Sequence, residues 1–391
     1  MINPDVIVIG AGFSGAVIAE RFATVANKKV LVLEQREHIA GNCYDYKNED
    51  GILVHRYGPH LFHTNKQHVW DYLSQFTDWH CYEHKVLSRV DNQLVPLPFN
   101  LNTLDCLYSV EDARKLKALL FENYGEGQKV PILTLKNSSE PLLRQLGQTV
   151  YDKFFVNYTV KQWGCAPEDI SPEVTARVPV VISRDNRYFH DFFQAIPAQG
   201  YSELFKRMLA HSNIELVLNC DGTQRLSLNR DTGKIYFDGR RFDGQLVYTG
   251  MLDGLFSYTH GELPYRSLKF VYERHKKAFY QPATTVNYPN EEAFTRITEF
   301  KHILPAESDY TVIVKEYPQN FVRHDPERDI PYYPIFNQKN TKSHDIYQGL
   351  VRQFPNMTVL GRLADYKYYN MDDAVDNALK CFDRLNGAVD D

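Results

Sequence analysis

Three glycines and a glutamate near the N-terminus have the types and spacing of a dinucleotide site. Gly10, Gly12 and Gly15 form a G-x-G-x-x-G set. Such glycines allow a tight turn, close approach of the backbone to a pyrophosphate, and close packing of a helix on a strand. Glu34 follows at about the spacing at which a carboxylate accepts a hydrogen bond from a ribose 2′-hydroxyl. This carboxylate also argues against NADP, whose 2′-phosphate it would repel.

Two short apolar runs must position these residues. Val6 to Ile9 and Val30 to Leu33 read as strands buried on both faces of a parallel sheet. A helix between them would direct free N–H groups and a positive dipole end at a phosphate. The complete order of strand, glycines, helix, strand and acid favours a dinucleotide site over a Gly-rich turn without a ligand. Gly41-Asn42 follows. This pair is typical of a backbone that turns tightly against a cofactor, and it is also consistent with an ordinary loop.

Two arginines are candidates for holding a phosphate. Arg177 lies near the end of a proline-containing stretch, 164–179, that has the composition of a surface loop. Arg296 lies in Thr295–Glu299, which alternates like a strand and places Arg296 opposite Ile297. An arginine in a strand suited to burial needs a partner. A structural carboxylate and an anionic ligand are equally consistent with this pattern.

An aromatic helix end precedes the loop that carries Arg177. Phe155, Tyr158 and Thr159 lie about one helical turn apart, and Trp163 follows them. Such a stripe usually packs in a core. A helix end with tyrosine and tryptophan, followed by an arginine on a loop, could also sandwich a base and hold a phosphate.

Other features exclude several classes of site. His60 and His63 could suggest a metal pair, but no acidic or cysteine ligands flank them, so we predict no metal and histidines in a polar pocket instead. The six cysteines contain no C-x-x-C pair, which indicates reduced thiols rather than a disulfide frame or a zinc site. The net charge of −5 provides no overall field for nucleic acid.

Length and hydropathy restrict the location and the number of domains. The 391 residues suffice for two or three domains. No apolar run approaches the ~20 residues that cross a bilayer. The chain enters its first strand at once, without room for a signal peptide. We therefore predict a cytoplasmic protein that acts without a membrane.

The rest of the chain divides into a helical part and a strand-rich part. Val86 to Leu94 alternates like a strand around an Asp91-Asn92 turn, and the pattern becomes helical from Leu101 to Val160. Strands dominate between 268 and 317. Asn370 is a plausible N-cap of a C-terminal helix, whose dipole could stabilise an anion.

Together these motifs resemble the bacterial UDP-galactopyranose mutase family. The most specific of them is the string Tyr-Thr-x-Lys-Gln-Trp-Gly at 158–164. The others are Gly10-x-Gly12-x-x-Gly15, Gly41-Asn42, Tyr57-Gly58-x-His60-x-Phe62-His63-Thr64, Thr295-Arg296-Ile297-Thr298-Glu299, Lys315-Glu316-Tyr317 and Gly361-Arg362-Leu363. They span nearly the whole chain in family order.

The resemblance implies an α/β fold with three domains. A discontinuous Rossmann-like FAD-binding domain would carry an all-helical insertion and an antiparallel β-sheet domain. The expected segments are 1–75, 196–255 and 346–391 for the FAD domain, 76–97 and 256–345 for the sheet domain, 98–165 for the helical insertion with a uridine pocket, and 166–195 for a mobile lid and part of the sheet domain.

The resemblance also implies an activity. Family members interconvert UDP-galactopyranose and UDP-galactofuranose for cell-surface glycan synthesis, through a covalent adduct between the sugar and N5 of reduced FAD. An external reductant such as NAD(P)H and a homodimer are expected. Three alternatives stay open: a UDP-N-acetylgalactopyranose mutase, an FAD-dependent oxidoreductase of the amine-oxidase type, which leaves Arg177 unexplained, and a non-catalytic flavin-binding protein.

Site residues follow from the resemblance by position. The expected cofactor contacts are Gly10, Gly12, Ser14, Gly15, Glu34, Gln35, Gly41, Asn42, His60, Leu61, Arg362, Tyr369, Asn370, Met371 and Asp372. The expected substrate contacts are His84, Phe154, Phe155, Tyr158, Thr159, Trp163, Arg177, Tyr188, Asn287, Arg296, Tyr317, Tyr368 and Asn370. Arg177 and Arg296 would hold the diphosphate as it leaves, and His63 would lie near flavin and sugar as a candidate for proton transfer.

Three positions depart from the family pattern. Ala40 replaces a glycine that many members carry. Asn370 stands where many have aspartate, so a neutral amide must serve there. His84 replaces a different polar residue near the uracil.

Overall fold

The computed structural model describes residues 3–164 and 179–387. Its first sheet is the parallel one that the N-terminal pattern predicts. The strands lie in the order Ile214–Val217, Val30–Leu33, Val6–Ile9, Gln245–Tyr248 and Met357–Val359, and all neighbours are parallel. The central strand, Val6–Ile9, is therefore the point where the strand order changes direction, and ligands of open α/β sheets bind at the carboxyl ends of the strands there.

Helices pack on this sheet through small and apolar residues. Every residue of Val6–Ile9 and Val30–Leu33 is buried, as expected for strands covered on both faces. The helices Phe13–Thr24 and Met371–Leu385 pack together beside them, with the rings of Phe22 and Phe382 5.2 Å apart. The predicted N-cap of the second helix, Asn370, is confirmed.

The second large sheet has seven strands. Its order is Tyr333–Pro334, Tyr265–His275, Thr311–Asn320, Arg296–Glu299, Thr285–Asn287, Val86–Val90 and Gln93–Leu97. The hairpin turn at Asp91 and Asn92 is confirmed, with φ of 49° and 61°. The sheet is antiparallel except where Thr285–Asn287 pairs with Val86–Val90 in parallel. These two strands come from distant parts of the chain, so no hairpin constrains their relative direction.

The segment between the two parts of this sheet is mainly helical, as predicted. Its elements are Leu101–Leu107, Val110–Tyr124, Ile132–Lys136, Pro141–Val150, a π-helix at Tyr151–Val156, and Asn157–Trp163. The sequence missed a short strand, Lys129–Pro131, which pairs with Pro179–Val181. Ser109 is the N-cap of helix Val110–Tyr124, and its side chain accepts a hydrogen bond from the Asp112 N–H.

Smaller elements complete the described fold. A three-stranded sheet joins Phe62–Thr64, Phe193–Pro197 and Trp79–Cys81, another joins Leu226–Asn229, Lys234–Phe237 and Arg240–Phe242, and Asp45–Lys47 pairs with Leu53–His55. The remaining helices are Gln67–Leu73, Tyr201–Met208, Leu252–Leu255 and Gln338–Val351, with 3-10 turns at Gly41–Cys43, Gly222–Arg225 and Phe300–His302.

Two further features of the described chain concern its thiols and the length of its helices. Its cysteines at 43, 81, 106, 220 and 381 carry free thiols, and Cys165 lies outside the described residues. None of the described helices has the length and apolar character needed to cross a bilayer.

Candidate functional site

A cavity opens at the carboxyl ends of the parallel strands. Predicted cofactor residues that line it are Gly10, Gly12, Ser14, Gly15, Glu34, Gln35, Gly41, Asn42, His60, Arg362, Tyr369, Asn370 and Met371. Two others lie elsewhere. Leu61 lines a neighbouring cavity, and the Asp372 carboxylate accepts a hydrogen bond of 2.9 Å from Thr64 Oγ1, so it anchors the C-terminal helix.

The backbone of this first cavity is shaped for a phosphate group. Gly12 is the N-cap of helix Phe13–Thr24 and supplies no side chain to the helix end, so the first N–H groups stay available. A Cβ on Gly41, whose φ is +55°, would lie 3.2 Å from the Cα of Gly12. A Cβ on Gly15 would lie 1.9 Å from the carbonyl oxygen of Gly10. These glycines keep the loop open, and the site fits a dinucleotide.

The Glu34 carboxylate, which is predicted to bind a ribose hydroxyl, contacts the backbone of its own chain. It accepts hydrogen bonds from the N–H groups of Ala11, at 2.8 Å, and Arg36, at 2.9 Å. Each carboxylate oxygen retains a second lone pair, so a ribose hydroxyl can still be bound.

Sequence reasoning missed part of this cavity. Additional lining residues include Arg36, Cys43, Asp221, Thr223, Thr249 and Met251. Four of these follow the strands Ile214–Val217 and Gln245–Tyr248. Their position after parallel strands was the available signal, because such residues gather at one edge of the sheet.

A second cavity adjoins the first. Predicted residues that line it are His63, His84, Tyr158, Tyr188, Asn287, Arg296 and Tyr368, together with Leu61. His60, Arg362, Asn370 and Met371 line both cavities. Residues that were missed are Pro59, Val86, Phe189, Thr285, Tyr332 and Tyr333. The two cavities therefore share a wall made by four residues.

Two predicted substrate residues are buried among the helices and are not among the residues that line the second cavity. Phe154 and Phe155 are 6% and 2% exposed and pack among the helices of the inserted segment. They belong to the π-helix Tyr151–Val156, whose wider turns shift the faces of the helix relative to an α-helical repeat. As a result Tyr158 lines the cavity, while the two phenylalanines face the core.

Three further predicted residues lie outside the cavity lining, and one lies outside the described chain. Thr159 is buried, and the ring of Trp163 lies 6.0 Å from that of Tyr333. Tyr317 packs its ring against Phe294 at 5.7 Å, because it follows Glu316 in a strand and points to the opposite face. Arg177 is not among the described residues.

The second cavity has a positive character. Arg296 and Arg362 line it, and no carboxylate is among its lining residues within 3–164 and 179–387. Behind Arg296 lies Glu316, 2% exposed, with its Oε1 2.7 Å from the Nε of Arg296. Burial is the largest single effect and opposes the charge of Arg296, but Glu316, Tyr158 and Tyr333 together outweigh it and raise the pKa of the guanidinium. Arg296 therefore has the carboxylate partner that one interpretation requires, and it lines a cavity, so binding of an anionic ligand stays a prediction.

Two histidines and a tyrosine of this cavity are neutral. Burial lowers the pKa of His60 and of His84 to about 3, and nearby Arg296 adds to both effects. Burial raises the pKa of Tyr158 to about 12. His60 Nδ1 lies 3.0 Å from the carbonyl oxygen of Gly58, so Nδ1 donates and Nε2 can accept. Neutral hydrogen-bonding groups beside two arginines suit an anion that carries hydroxyls.

Comparison with known proteins decides the family. The family model for UDP-galactopyranose mutase, GLF, matches residues 153–368. This chain belongs to the UDP-galactopyranose mutase family. A model for an NAD(P)-binding Rossmann-like domain matches residues 8–76, which contain the glycine set. The resemblance found in the motifs is thereby confirmed.

Relatives in the mutase family span almost the whole chain. A UDP-galactopyranose mutase of Mycoplasma genitalium is 36% identical, over 95% of this chain and 92% of the relative. A probable UDP-galactopyranose mutase of Klebsiella pneumoniae is 34% identical, over 100% and 96%. A dTDP-fucopyranose mutase of Escherichia coli is 35% identical, over 96% and 97%. Sequence identity alone therefore does not separate these two nucleotide-sugar classes.

Solved structures share the fold at low identity. A crystal structure of reduced UDP-galactopyranose mutase has a TM-score of 0.74 at 17% identity, and covers 100% of this chain and 95% of its own. A redesigned putrescine oxidase has a TM-score of 0.59 at 13% identity, over 98% and 99%. The fold is thus common to mutases and to an oxidase, and membership in the mutase family rests on the sequence.

Proposed function

We propose that this enzyme binds FAD in the first cavity and interconverts UDP-galactopyranose and UDP-galactofuranose in the second, for cell-surface glycan synthesis. The observation that carries the proposal is the wall shared by His60, Arg362, Asn370 and Met371. A cofactor in the first cavity and a sugar nucleotide in the second would meet at this wall.

The chain would hold the cofactor with groups along the first cavity. The helix N-terminus behind Gly12 would bind the pyrophosphate, and Glu34 would bind a ribose hydroxyl. The N-terminus of helix Met371–Leu385 borders both cavities and would stabilise negative charge near it. When bound, reduced FAD would supply an electron-rich N5 as the nucleophile for the anomeric carbon.

The arginines would assist departure of the nucleotide. Breaking the bond between the anomeric carbon and the diphosphate leaves negative charge on phosphate oxygens. The planar guanidinium of Arg296 can hold two such oxygens at once, and Arg362 lies in the same cavity. Arg362 is oriented by a hydrogen bond of 3.1 Å from its Nη2 to the carbonyl oxygen of Tyr332.

The neutral groups would bind and orient the rest of the substrate. His84 and Tyr158 are uncharged hydrogen-bonding groups that suit a uracil, and Tyr188 adds an aromatic surface. Because these groups carry no charge, the arginines dominate the field in the cavity and act on the developing diphosphate without competition from a lining carboxylate.

Turnover by the reduced and oxidised enzyme tests the proposal. Purified protein is expected to carry a flavin absorbance spectrum. After reduction with dithionite it should convert UDP-galactofuranose to UDP-galactopyranose, separated by chromatography, and the oxidised sample should not. Equal rates in both redox states, or a colourless protein that cannot be reconstituted with FAD, would contradict it. dTDP-fucofuranose is assayed in parallel. A higher kcat/KM for this compound than for UDP-galactofuranose would identify the dTDP sugar, rather than the UDP sugar, as the substrate.

A further inference from the structure

An aspartate from a remote part of the chain meets His63 at the wall of the second cavity. Asp191 Oδ2 lies 2.9 Å from His63 Nδ1, and the side chains are 25% and 13% exposed. His63 lines the cavity, whereas Asp191 is absent from its lining residues within the described ranges. Asp191 therefore acts on a ligand there only through the imidazole.

Hydrogen bonds from neighbouring residues fix the position of the Asp191 carboxylate. Asn65 Nδ2 donates a hydrogen bond of 2.9 Å to Asp191 Oδ1, and Asn65 Oδ1 accepts one of 2.8 Å from the Phe192 N–H. Gln194 Nε2 donates to the carbonyl oxygen of Asp191 at 3.0 Å. Both carboxylate oxygens thus have fixed partners, and one of them is His63.

The imidazole is fixed as firmly as the carboxylate. His63 lies in the strand Phe62–Thr64, which pairs with Phe193–Pro197 and places Gln194 opposite His63. Its ring stacks on Phe189, with centroids 3.7 Å apart and planes inclined by 16°. The stacking and the hydrogen bond together define both the plane and the direction of the ring.

An ionised carboxylate only accepts hydrogen bonds, so Nδ1 of His63 must carry the proton in this pair. In a neutral ring Nε2 then has a free lone pair. We propose that Asp191 is a positioning residue, which holds His63 in this tautomer so that Nε2 accepts a proton from a sugar hydroxyl in the second cavity. The inference rests on the function proposed above.

The proton transfer balances within one turnover. From pyranose to furanose, the bond between the anomeric carbon and the ring oxygen breaks, and a bond from this carbon to the 4-hydroxyl oxygen forms. The hydroxyl proton passes to Nε2 and from there to the released oxygen. The imidazole therefore ends each turnover in its starting state, and no external acid or base is consumed.

The variant Asp191→Asn tests the tautomer directly. Because Asn65 Nδ2 donates to the first oxygen, the new amide would keep its oxygen there and present its NH₂ group to His63. Nδ1 would then have to accept, and the proton would move to Nε2. We expect kcat to fall about 10²-fold with KM little changed, the scale of a lost acid–base group. The two-bond ¹H–¹⁵N spectrum of His63 should change to the Nε2–H pattern.

Controls separate positioning from a purely structural role. Asp185→Asn removes a carboxylate from the same segment, paired with Arg187 at 2.7 Å and outside the described cavity lining, and should keep wild-type activity. Asp191→Glu restores a carboxylate and should recover part of kcat. UDP alone should bind Asp191→Asn with the same affinity as the wild type, because UDP lacks the sugar hydroxyl on which His63 would act.

Specific results would overturn the inference. Wild-type kcat in Asp191→Asn, or an unchanged Nδ1–H pattern, would do so. So would an Asp191→Glu variant as inactive as Asp191→Asn with both losing FAD, because this would indicate a scaffold role. A wild-type enzyme that converts no UDP sugar would instead contradict the proposed function, and the tautomer spectrum alone would then decide the role of Asp191.

Discussion

Arg296 and Glu316 form an ion pair across adjacent strands, beneath the second cavity. They are direct partners in the pairing of Arg296–Glu299 with Thr311–Asn320. Arg296 Nε and Glu316 Oε1 lie 2.7 Å apart, yet in the described structure neither atom has a well-aligned hydrogen bond. The contact is therefore electrostatic. It stabilises a charged guanidinium at the cavity wall while the side chain can still bind a ligand.

The first prediction concerns this guanidinium. Arg296→Ala should lower kcat by about 10²–10³-fold, the usual effect of removing one preorganised electrostatic contact to a developing charge. FAD content, measured by flavin absorbance, should stay at the wild-type level because Arg296 does not line the first cavity. Arg241→Ala is a matched control, since Arg241 pairs with Asp243 on the surface. Full activity of Arg296→Ala would contradict its role toward the diphosphate.

The second prediction concerns the buried carboxylate. Glu316→Gln leaves Arg296 without its counter-charge, and removal of one partner from a buried pair typically costs about 3–5 kcal/mol. Because Arg296 is 26% exposed, we expect the free energy of unfolding to fall by about 3 kcal/mol, the lower end of that range. UDP should bind more tightly, since the carboxylate no longer competes for the guanidinium.

Denaturant unfolding of the apo-protein and titration with UDP measure both effects. Glu273→Gln is the control, because Glu273 pairs with Lys315 at 2.5 Å but is 31% exposed. Such a pair contributes less than about 1 kcal/mol. Equal stability losses in the two variants would show that burial of Glu316 has no special effect.

Local patterns made much of the fold predictable. The strand Val6–Ile9, the glycine set and the hairpin at Asp91-Asn92 each depend on residues close in sequence, and the structure contains them where the patterns predict. Arg296 was identified as needing a partner because strand alternation placed it on one face. The choice between a carboxylate and a ligand could not be made, since Glu316 lies on another strand.

The differences between the predicted site and the cavity lining come from features without a local signal. The π-helix that turns Phe154 and Phe155 into the core looks like any α-helical stripe in sequence. Tyr333 lines the second cavity while Tyr317 does not, and only the pairing of distant strands determines this. His63 was a candidate from its motif, but the sequence could not show that Asp191 contacts it.

The third prediction concerns the glycine that brings a helix onto the first strand. Gly15→Ala would place a Cβ 1.9 Å from the carbonyl oxygen of Gly10, which is backbone and cannot move away alone. We expect loss of bound FAD and a lower melting temperature. Gly349→Ala is the control: it lies in helix Gln338–Val351 with nothing within 4 Å of the new Cβ. Alanine should stabilise that helix by about 0.5–1 kcal/mol. Wild-type FAD content in Gly15→Ala would contradict the proposed cofactor site.

Asp376 anchors the helix whose N-terminus borders both cavities. Its side chain is 7% exposed, with Lys66 Nζ at 3.1 Å, Lys380 Nζ at 3.2 Å and His68 Nε2 at 2.9 Å. Burial alone would raise the pKa of Asp376, but the hydrogen bonds with His68, Lys66 and Lys380 outweigh it and lower the pKa to about 2. These contacts connect helix Met371–Leu385 to Lys66 and His68, which follow the strand Phe62–Thr64.

The fourth prediction is a pH-dependent loss of stability in Asp376→Asn. The folded pKa lies below the usual value of 3.8, so the carboxylate stabilises the fold above that pH, and this contribution disappears as pH falls toward 2. Because Lys380 and His68 are exposed and solvent screens them, we expect a loss of about 1–2 kcal/mol at pH 7 and about half of that at pH 3. Urea unfolding at both pH values measures it. Asp383→Asn, an exposed change in the same helix, should have little effect at either pH. A loss that grows at low pH would show that Asp376 is not stabilised as an anion in the folded chain.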